Sequence, residues 1–292
     1  MSDRTELNST IKKLSENLGI SLIGFAPIER WAEFEETEKE FYPKNIWDWS
    51  KTVISIGIPV FLPVIESTPS NAYSELYNTT NRLLDDFAYK IAAFLNGKGF
   101  RAVSAPRDGY GEIMDLVREP NSFLSQVLAA KYAGLGTIGY NHALITPQFG
   151  PRVRFACIVT DADIEPSKLF EKDLCSGCLL CVKNCPTGAF SPSRNSKIGI
   201  MDKYRCARYH QFLREEHRYP CGVCVMSCPA GHDKKIYDKQ LTQEAKEHIQ
   251  DYGSKNDLDN FKIKQRRFIM SKENYKFETL QVHAGQENPD SA

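Results

Sequence analysis

The stretch "CSGCLLCVKNCP" (175–186) places four cysteines within eleven residues, and "CGVCVMSCP" (221–229) repeats part of it. Cys175, Cys178, Cys181 and Cys185 stand at C-x2-C-x2-C-x3-C, with proline after the last. Cys221, Cys224 and Cys228 give C-x2-C-x3-C-P, and Cys206 stands 15 residues before Cys221. These runs use eight of the nine cysteines, and Cys157 stands apart. Thiolates at such short spacing can wrap one inorganic cage, and the proline that ends each run has no backbone N–H to place.

The first run has the spacing of bacterial ferredoxins with two 4Fe–4S clusters, in which the cysteine before proline ligates the other cluster. On that rule cluster one takes Cys175, Cys178, Cys181 and Cys228. Cluster two takes Cys206, Cys221, Cys224 and Cys185, and no ligand is left over. The position of Cys206 departs from a plain ferredoxin repeat. Zinc and purely structural cysteines compete with this reading. Zinc ribbons use two C-x2-C pairs, which leaves the triplet and the C-P ending unexplained. Cys157 lies in the apolar "RFACIVT" and reads as a small buried hydrophobe. A disulfide framework suits a short secreted chain, and nothing here points to secretion. Two cubanes form an electron conduit, so the remaining sequence has to supply the chemistry.

Of the 292 residues 41% are hydrophobic, enough for a substantial core, and Lys+Arg and Asp+Glu are equal at 37 each. The global charge therefore gives no support to nucleic-acid binding. The opening "MSDRTELNSTIKKLSENLG" has no apolar signal core. The longest apolar run, 52–64, is broken by prolines and is shorter than the roughly 20 residues of a membrane helix. A cytoplasmic protein without membrane contact is expected.

Hydrophobic periodicity predicts helices over 6–18, 78–99 and 121–136, the last opened by Asn121-Ser122 and closed by glycine. It predicts strands at 21–28, 52–60 and 100–106, and a strand pair around a Gly-Pro turn over 143–164. Such alternation indicates a layered α/β or α+β domain over 1–165. Short helices and loops around clusters are expected over 166–235. A polar helix (239–253) and a loosely packed tail fill 236–292.

Residues 130–161, "AKYAGLGTIGYNHALITPQFGPRVRFACIVTD", together with "CSGCLLCVKNCPTGAF" (175–190), Cys206 and the second run, resemble the epoxyqueuosine reductases and their relatives, the cobalamin-dependent reductive dehalogenases. The likeness covers about 10–232 and is weak before 120. It implies an α+β chain. An N-terminal α/β sandwich, related to nitroreductases and cobalamin-processing proteins, holds a base-off corrinoid beside a two-cluster ferredoxin-like module. It implies a reductase supplied by a ferredoxin or flavodoxin-type donor, acting on tRNA in one branch and on carbon–halogen bonds in the other. An electron-transfer protein with no substrate of its own is a further alternative, and a corrinoid-reactivating protein falls between these.

The glycines of "AGLGTIGYN" (133–141), Gly134, Gly136 and Gly139, would let backbone approach a flat macrocycle, with Asn141 closing the segment. A helix C-cap and tight turn is the other reading. His142 reads equally as a corrinoid contact or a turn residue. The resemblance implies an aspartate proton donor at a position that, counted without gaps, is Pro120 here. Either the adjacent Glu119 takes that role, or another acid does, with Asp108, Glu112 and Asp115 crowding the preceding loop, or the reaction differs. Tyr110 with Arg107 would mirror the tyrosine and basic partner of the dehalogenases. A solvated charged loop is the alternative. Lastly, "KIKQRRFIMSK" (262–272), with Phe261 and Phe268, reads as a phosphate contact or as charged surface.

Overall fold

The computed structural model describes residues 3–34, 36–106, 111–120, 122, 124–193, 198–240 and 243. All of these lie in the first of two compact units, 1–244 and 245–292. The basic stretch 262–272, the tail and most of the helix expected over 239–253 fall outside the described residues.

Helix α1 (Asp3–Asn17) is followed by strand β1 (Leu22–Pro27) and the short helices α2 (Glu29–Phe34) and α3 (Pro43–Ile46). Strand β2 (Thr52–Pro59), a single turn α4 (Leu62–Ile65), the long helix α5 (Asn71–Gly97) and strand β3 (Ala102–Ala105) come next. Helix α5 begins seven residues before the expected start at 78, because Ser70 caps it by accepting from the Tyr73 N–H at 3.1 Å. Helices α6 (Ile113–Arg118) and α7 (Gln126–Tyr132) lead to the short strands β4 (Thr137–Ile138) and β5 (Leu144–Ile145) and to β6 (Val153–Thr160).

The main sheet has the order β1-β2-β6-β3 and every neighbour is antiparallel, so the alternation of strands and helices belongs to an α+β fold. Paired residues share a face. Phe25, Ile54 and Ile158 pack with Ile11 of α1 and Leu84 and Ile91 of α5. Their neighbours Ala26, Val53 and Val159 pack with Trp31 of α2 and Ala129 and Tyr132 of α7. Covering both faces explains why β2 reads as a continuous apolar run. Cys157 is fully buried on the second face, as its apolar setting predicts.

Two expectations are corrected. Helix α7 is shorter than 121–136: Ser125 caps it by accepting from the Leu128 N–H at 3.2 Å, and Gly134 (φ +74) ends it. The strands of 143–164 do not pair with each other. Strand β5 pairs with β4, whereas β6 joins the main sheet, and only the bridge Thr146–Gly150 spans the turn.

The cysteine segment holds α8 (Leu180–Lys183), β7 (Phe190–Ser191), β8 (Ile200–Met201), α9 (Lys203–Glu215) and α10 (Val223–Met226). Helix α9, capped by Asp202 and carrying Cys206, is longer than the short helices expected there.

Candidate functional site

The two cysteine runs fold alike. Leu179 and Gly222, each one residue after the first cysteine of a C-x2-C pair, are left-handed (φ 56 and 67), and each opens a four-residue helix. The last cysteines close equivalent turns, Cys185 N–H on Val182 O at 3.3 Å and Cys228 N–H on Val225 O at 3.4 Å. A glycine meets the left-handed requirement at 222 without strain, whereas Leu179 bears it with a side chain.

This folding brings the cysteines together in two groups. Cys175, Cys178, Cys181 and Cys228 line a small cavity of about 20 Å³. Cys185, Cys206, Cys221 and Cys224 line one side of a larger cavity of about 520 Å³. Among the described residues no three His, Cys, Asp or Glu side chains close on a single-ion site. Each quartet faces a cavity. Burial pushes the Cys206 thiol up to about 11 and Cys221 up to about 12, and neighbouring cysteines add to both. Burial likewise raises Cys181, Cys224 and Cys228, although the Arg152 charge pulls Cys228 partly back. Thiolates desolvated to this extent need a compensating cation, and the irons of a cubane supply one. The donor set therefore suits an iron–sulfur cluster in each quartet.

The larger cavity lies between that quartet and an apolar wall from the sheet domain, including Val127, Leu144, Val153 and Phe155. Its size is that of a cofactor or substrate pocket. Gln126 lines it too, and its Nε2 donates to Pro106 O at 3.3 Å. Asn141 lines both cavities, and its Nδ2 donates to Cys224 O at 3.3 Å. His142 (φ 58) lines the larger cavity, with Nε2 2.6 Å from Gly199 O. On the same wall, Arg154 donates to the Tyr77 hydroxyl at 3.0 Å and to Asn81 Oδ1 at 3.1 Å. Burial holds His210, which is 4.0 Å from the Cys206 sulfur, down to about 4, so its imidazole is neutral at pH 7.

The three glycines lie elsewhere. A Cβ on Gly134 would stand 2.0 Å from Lys168 O, one on Gly136 2.0 Å from Ile145 O, and one on Gly139 2.5 Å from Ile145 Cδ1. Their missing side chains make room for the protein's own chain, and none of the three lines the larger cavity. Pro120 does line it, while Glu119 is exposed at the end of α6 and off the wall. Asp115 is exposed too, and it caps α6 by accepting from the Glu112 N–H at 3.1 Å. Arg107, Asp108 and Tyr110 fall outside the described residues. Sequence reasoning missed Tyr77, Gln126, Arg152 and Arg154. The signal for the arginines was two charges bracketing Val153 at the head of an apolar strand.

The family described as 4Fe-4S binding domain matches residues 169–191. The chain is 25% identical over 282 residues to a tetrachloroethene reductive dehalogenase of Desulfitobacterium hafniense, covering 77% of this chain and 48% of the relative. It is 26% identical over 265 residues to an epoxyqueuosine reductase of Bacillus cereus, covering 78% and 65%. The chain thus spans about half the length of the dehalogenases it matches. Two solved structures share the fold. One is a catabolic reductive dehalogenase in complex with 3-bromo-4-hydroxybenzoic acid, with TM-score 0.60, 19% identity and coverage of 81% and 34%. The other is an epoxyqueuosine reductase with an epoxyqueuosine-modified tRNA stem loop, with TM-score 0.52, 20% identity and coverage of 79% and 66%. The chain is therefore a homologue of proteins named epoxyqueuosine reductase and reductive dehalogenase, and it carries a 4Fe–4S binding domain.

Proposed function

We propose that this chain is the core of a cobalamin-dependent iron–sulfur reductase of the epoxyqueuosine reductase kind. The observation that carries this reading is that one cysteine quartet opens directly onto the larger cavity, opposite the apolar wall of the sheet domain. An electron delivered to that quartet arrives beside whatever the cavity holds. Residues 1–165, layered as a sandwich like those of nitroreductases and cobalamin-processing proteins, bind corrinoid and substrate. Residues 166–235 hold two 4Fe–4S clusters, and 236–292 follow as a C-terminal extension. A ferredoxin or flavodoxin-type protein is the donor, tRNA is the substrate, and the cytoplasm is the compartment. No helix among the described residues is long and apolar enough to cross a membrane.

When bound, a corrinoid supplies a low-valent metal that reduces a carbon–oxygen or carbon–halogen bond. The chain's own residues do the rest. Val127, Leu144, Val153 and Phe155 keep water from one side of the cavity. Asn141 offers a polar anchor, and His142 stands beside it as a contact for the cofactor edge. The tyrosine of the Tyr77–Arg154 pair accepts from the guanidinium, so its own proton is free to go to a reacting atom. Glu119 and Asp115 lie off the wall and leave that role to it.

A second reading, a reductase of a small halogenated or other organic molecule, is favoured by Pro120, which stands on the wall where an aspartate is needed for the tRNA reaction. Anaerobically reconstituted protein mixed with hydroxocobalamin and desalted tests both. Near-stoichiometric cobalt, cob(II)alamin EPR without axial-nitrogen splitting and about eight irons are expected. Turnover of epoxyqueuosine-containing tRNA then separates the first reading from the second. Eight irons without cobalt would leave an electron-transfer protein.

A further inference from the structure

Arg152 has no exposed side-chain surface. A buried guanidinium is costly unless its donors are met, and here they are. Nε donates to Asp233 Oδ2 at 2.9 Å and Nη2 to Asp233 Oδ1 at 2.7 Å, a forked pair. Nη1 donates to the main-chain carbonyl of Cys228 at 3.0 Å, and Nη2 also reaches that of Ala230. The backbone is fitted to this fork. A Cβ on Gly150 would lie 2.1 Å from Ala230 O, and one on Gly231 would lie 2.5 Å from Arg152 Nη2. The His232 N–H donates to Pro147 O at 3.0 Å and the Asp233 N–H to Gln148 O at 2.9 Å. Residues 228–233 therefore lie along the turn that precedes β6.

Cys228 is the distant member of the first quartet, because the other three come from 175–181. We propose that Arg152 is a positioning residue for this quartet: its fork fixes the main chain of the fourth ligand, and its charge raises the reduction potential of the cluster held there. The proposal rests on the reading that Cys175, Cys178, Cys181 and Cys228 hold one 4Fe–4S cluster. Reduction adds one electron and no proton to that cluster. The reduced form carries one more negative charge, so it gains more from a nearby guanidinium than the oxidised form does. The Asp233 carboxylate opposes the same charge. The two partners thus act on the potential with opposite signs, whereas a plain structural clamp would respond in the same direction to loss of either.

The test uses the full chain, reconstituted anaerobically and titrated with dithionite under EPR. Cys178→Ser marks the wave that belongs to the first quartet. Arg152→Gln is expected to lower that wave by about tenfold in the reduced-to-oxidised ratio at fixed potential, about 59 mV for one electron. Asp233→Asn, which keeps an acceptor, is expected to raise it, and the unmarked wave stays in place in both. Arg152→Lys restores most of the potential but loses iron to a chelator faster than wild type, because a point charge cannot replace the fork. Equal movement of both waves, or movement of the marked wave in one direction in both variants, overturns the proposal. If Arg152→Gln does not fold, the sign of the Asp233→Asn shift decides. A full iron complement with an unmoved wave sinks the proposal and leaves the cluster reading intact. Wild-type protein with far fewer than about eight irons overturns both.

Discussion

The Asn184 amide donates to the Ser227 hydroxyl at 3.1 Å, and the two residues hold the same position in their runs, each just before the last cysteine. The contact joins two halves built alike. Each has a left-handed residue after a cysteine, a four-residue helix and a closing turn. The halves exchange their last cysteines. Cys185, from the first run, lines the larger cavity with Cys206, Cys221 and Cys224, and Cys228, from the second, joins Cys175, Cys178 and Cys181.

This exchange predicts a crossed phenotype. Cys185→Ala should disturb the same cluster as Cys224→Ala, although Cys185 sits in the run of Cys181. Cys228→Ala should pair with Cys178→Ala. Each single variant should retain about four of about eight irons, read by iron analysis and by which EPR signal survives. If Cys185→Ala removes the signal that Cys178→Ala also removes, the ligand sets are not crossed.

The glycine segment predicts a steep contrast. Gly136→Ala would drive a methyl to 2.0 Å from Ile145 O, a backbone atom fixed in the β4–β5 pair. The pair must part, at about 3 kcal/mol. Gly177 is left-handed (φ +69), but a Cβ there meets nothing within 4 Å. Gly177→Ala should therefore cost only the conformational penalty, about 1 kcal/mol. Thermal unfolding of the two cluster-free variants would read the contrast. Equal losses would mean that Gly136 is not tightly packed.

The sheet was legible because both faces of β2 are covered, which writes a run of apolar residues over 52–60 that few other settings produce. The short C-x2-C spacings made the near cysteines easy to group, whereas the crossed placing of Cys185 and Cys228 on the two cavities was expected only from the two-cluster ferredoxin rule. The start of α7 was misread because Asn121-Ser122 has the chemistry of a cap, while Ser125 has it too and stands where the helix packs. Helix α9 went unrecognised because its inward positions include Cys206 and His210, which dilute an apolar stripe. The glycines announced a close approach but not its partner. The atoms they meet, Lys168 O and Ile145 O, are backbone brought there by the tertiary fold.

The location of Glu119 predicts a null result. It is exposed at the end of α6, while its neighbour Pro120 faces the larger cavity. Glu119→Gln should leave turnover within about twofold of wild type, since general acid catalysis by a positioned group contributes about a hundredfold or more. Tyr77→Phe, which removes the hydroxyl paired with Arg154, should cut turnover by about a hundredfold or more and leave cobalt and iron contents unchanged. A large loss in Glu119→Gln would return the proton to the acid.

Asp161 predicts how the domain responds to acid. Partial burial pushes its carboxyl upward, but hydrogen bonds from the Arg101 N–H at 2.8 Å and Nε at 2.7 Å, with the Arg101 charge, outweigh this and hold it below its ordinary value. The folded value thus lies below the unfolded one. The stabilisation is complete above about pH 4 and is lost as the pH falls through the lowered folded value. Asp161→Asn should therefore melt earlier than wild type at pH 7, and the gap should narrow as the pH falls below about 4. The pair also ties the β3 side of the sheet to the end of β6, where Thr160 donates to Arg101 O at 2.8 Å. That second bond keeps part of the contact when the carboxylate is gone, and it should limit the loss at neutral pH. Melting curves of both proteins from pH 7 to pH 3 measure the gap. A gap that stays constant across this range would show that the charge on Asp161 does not contribute to stability.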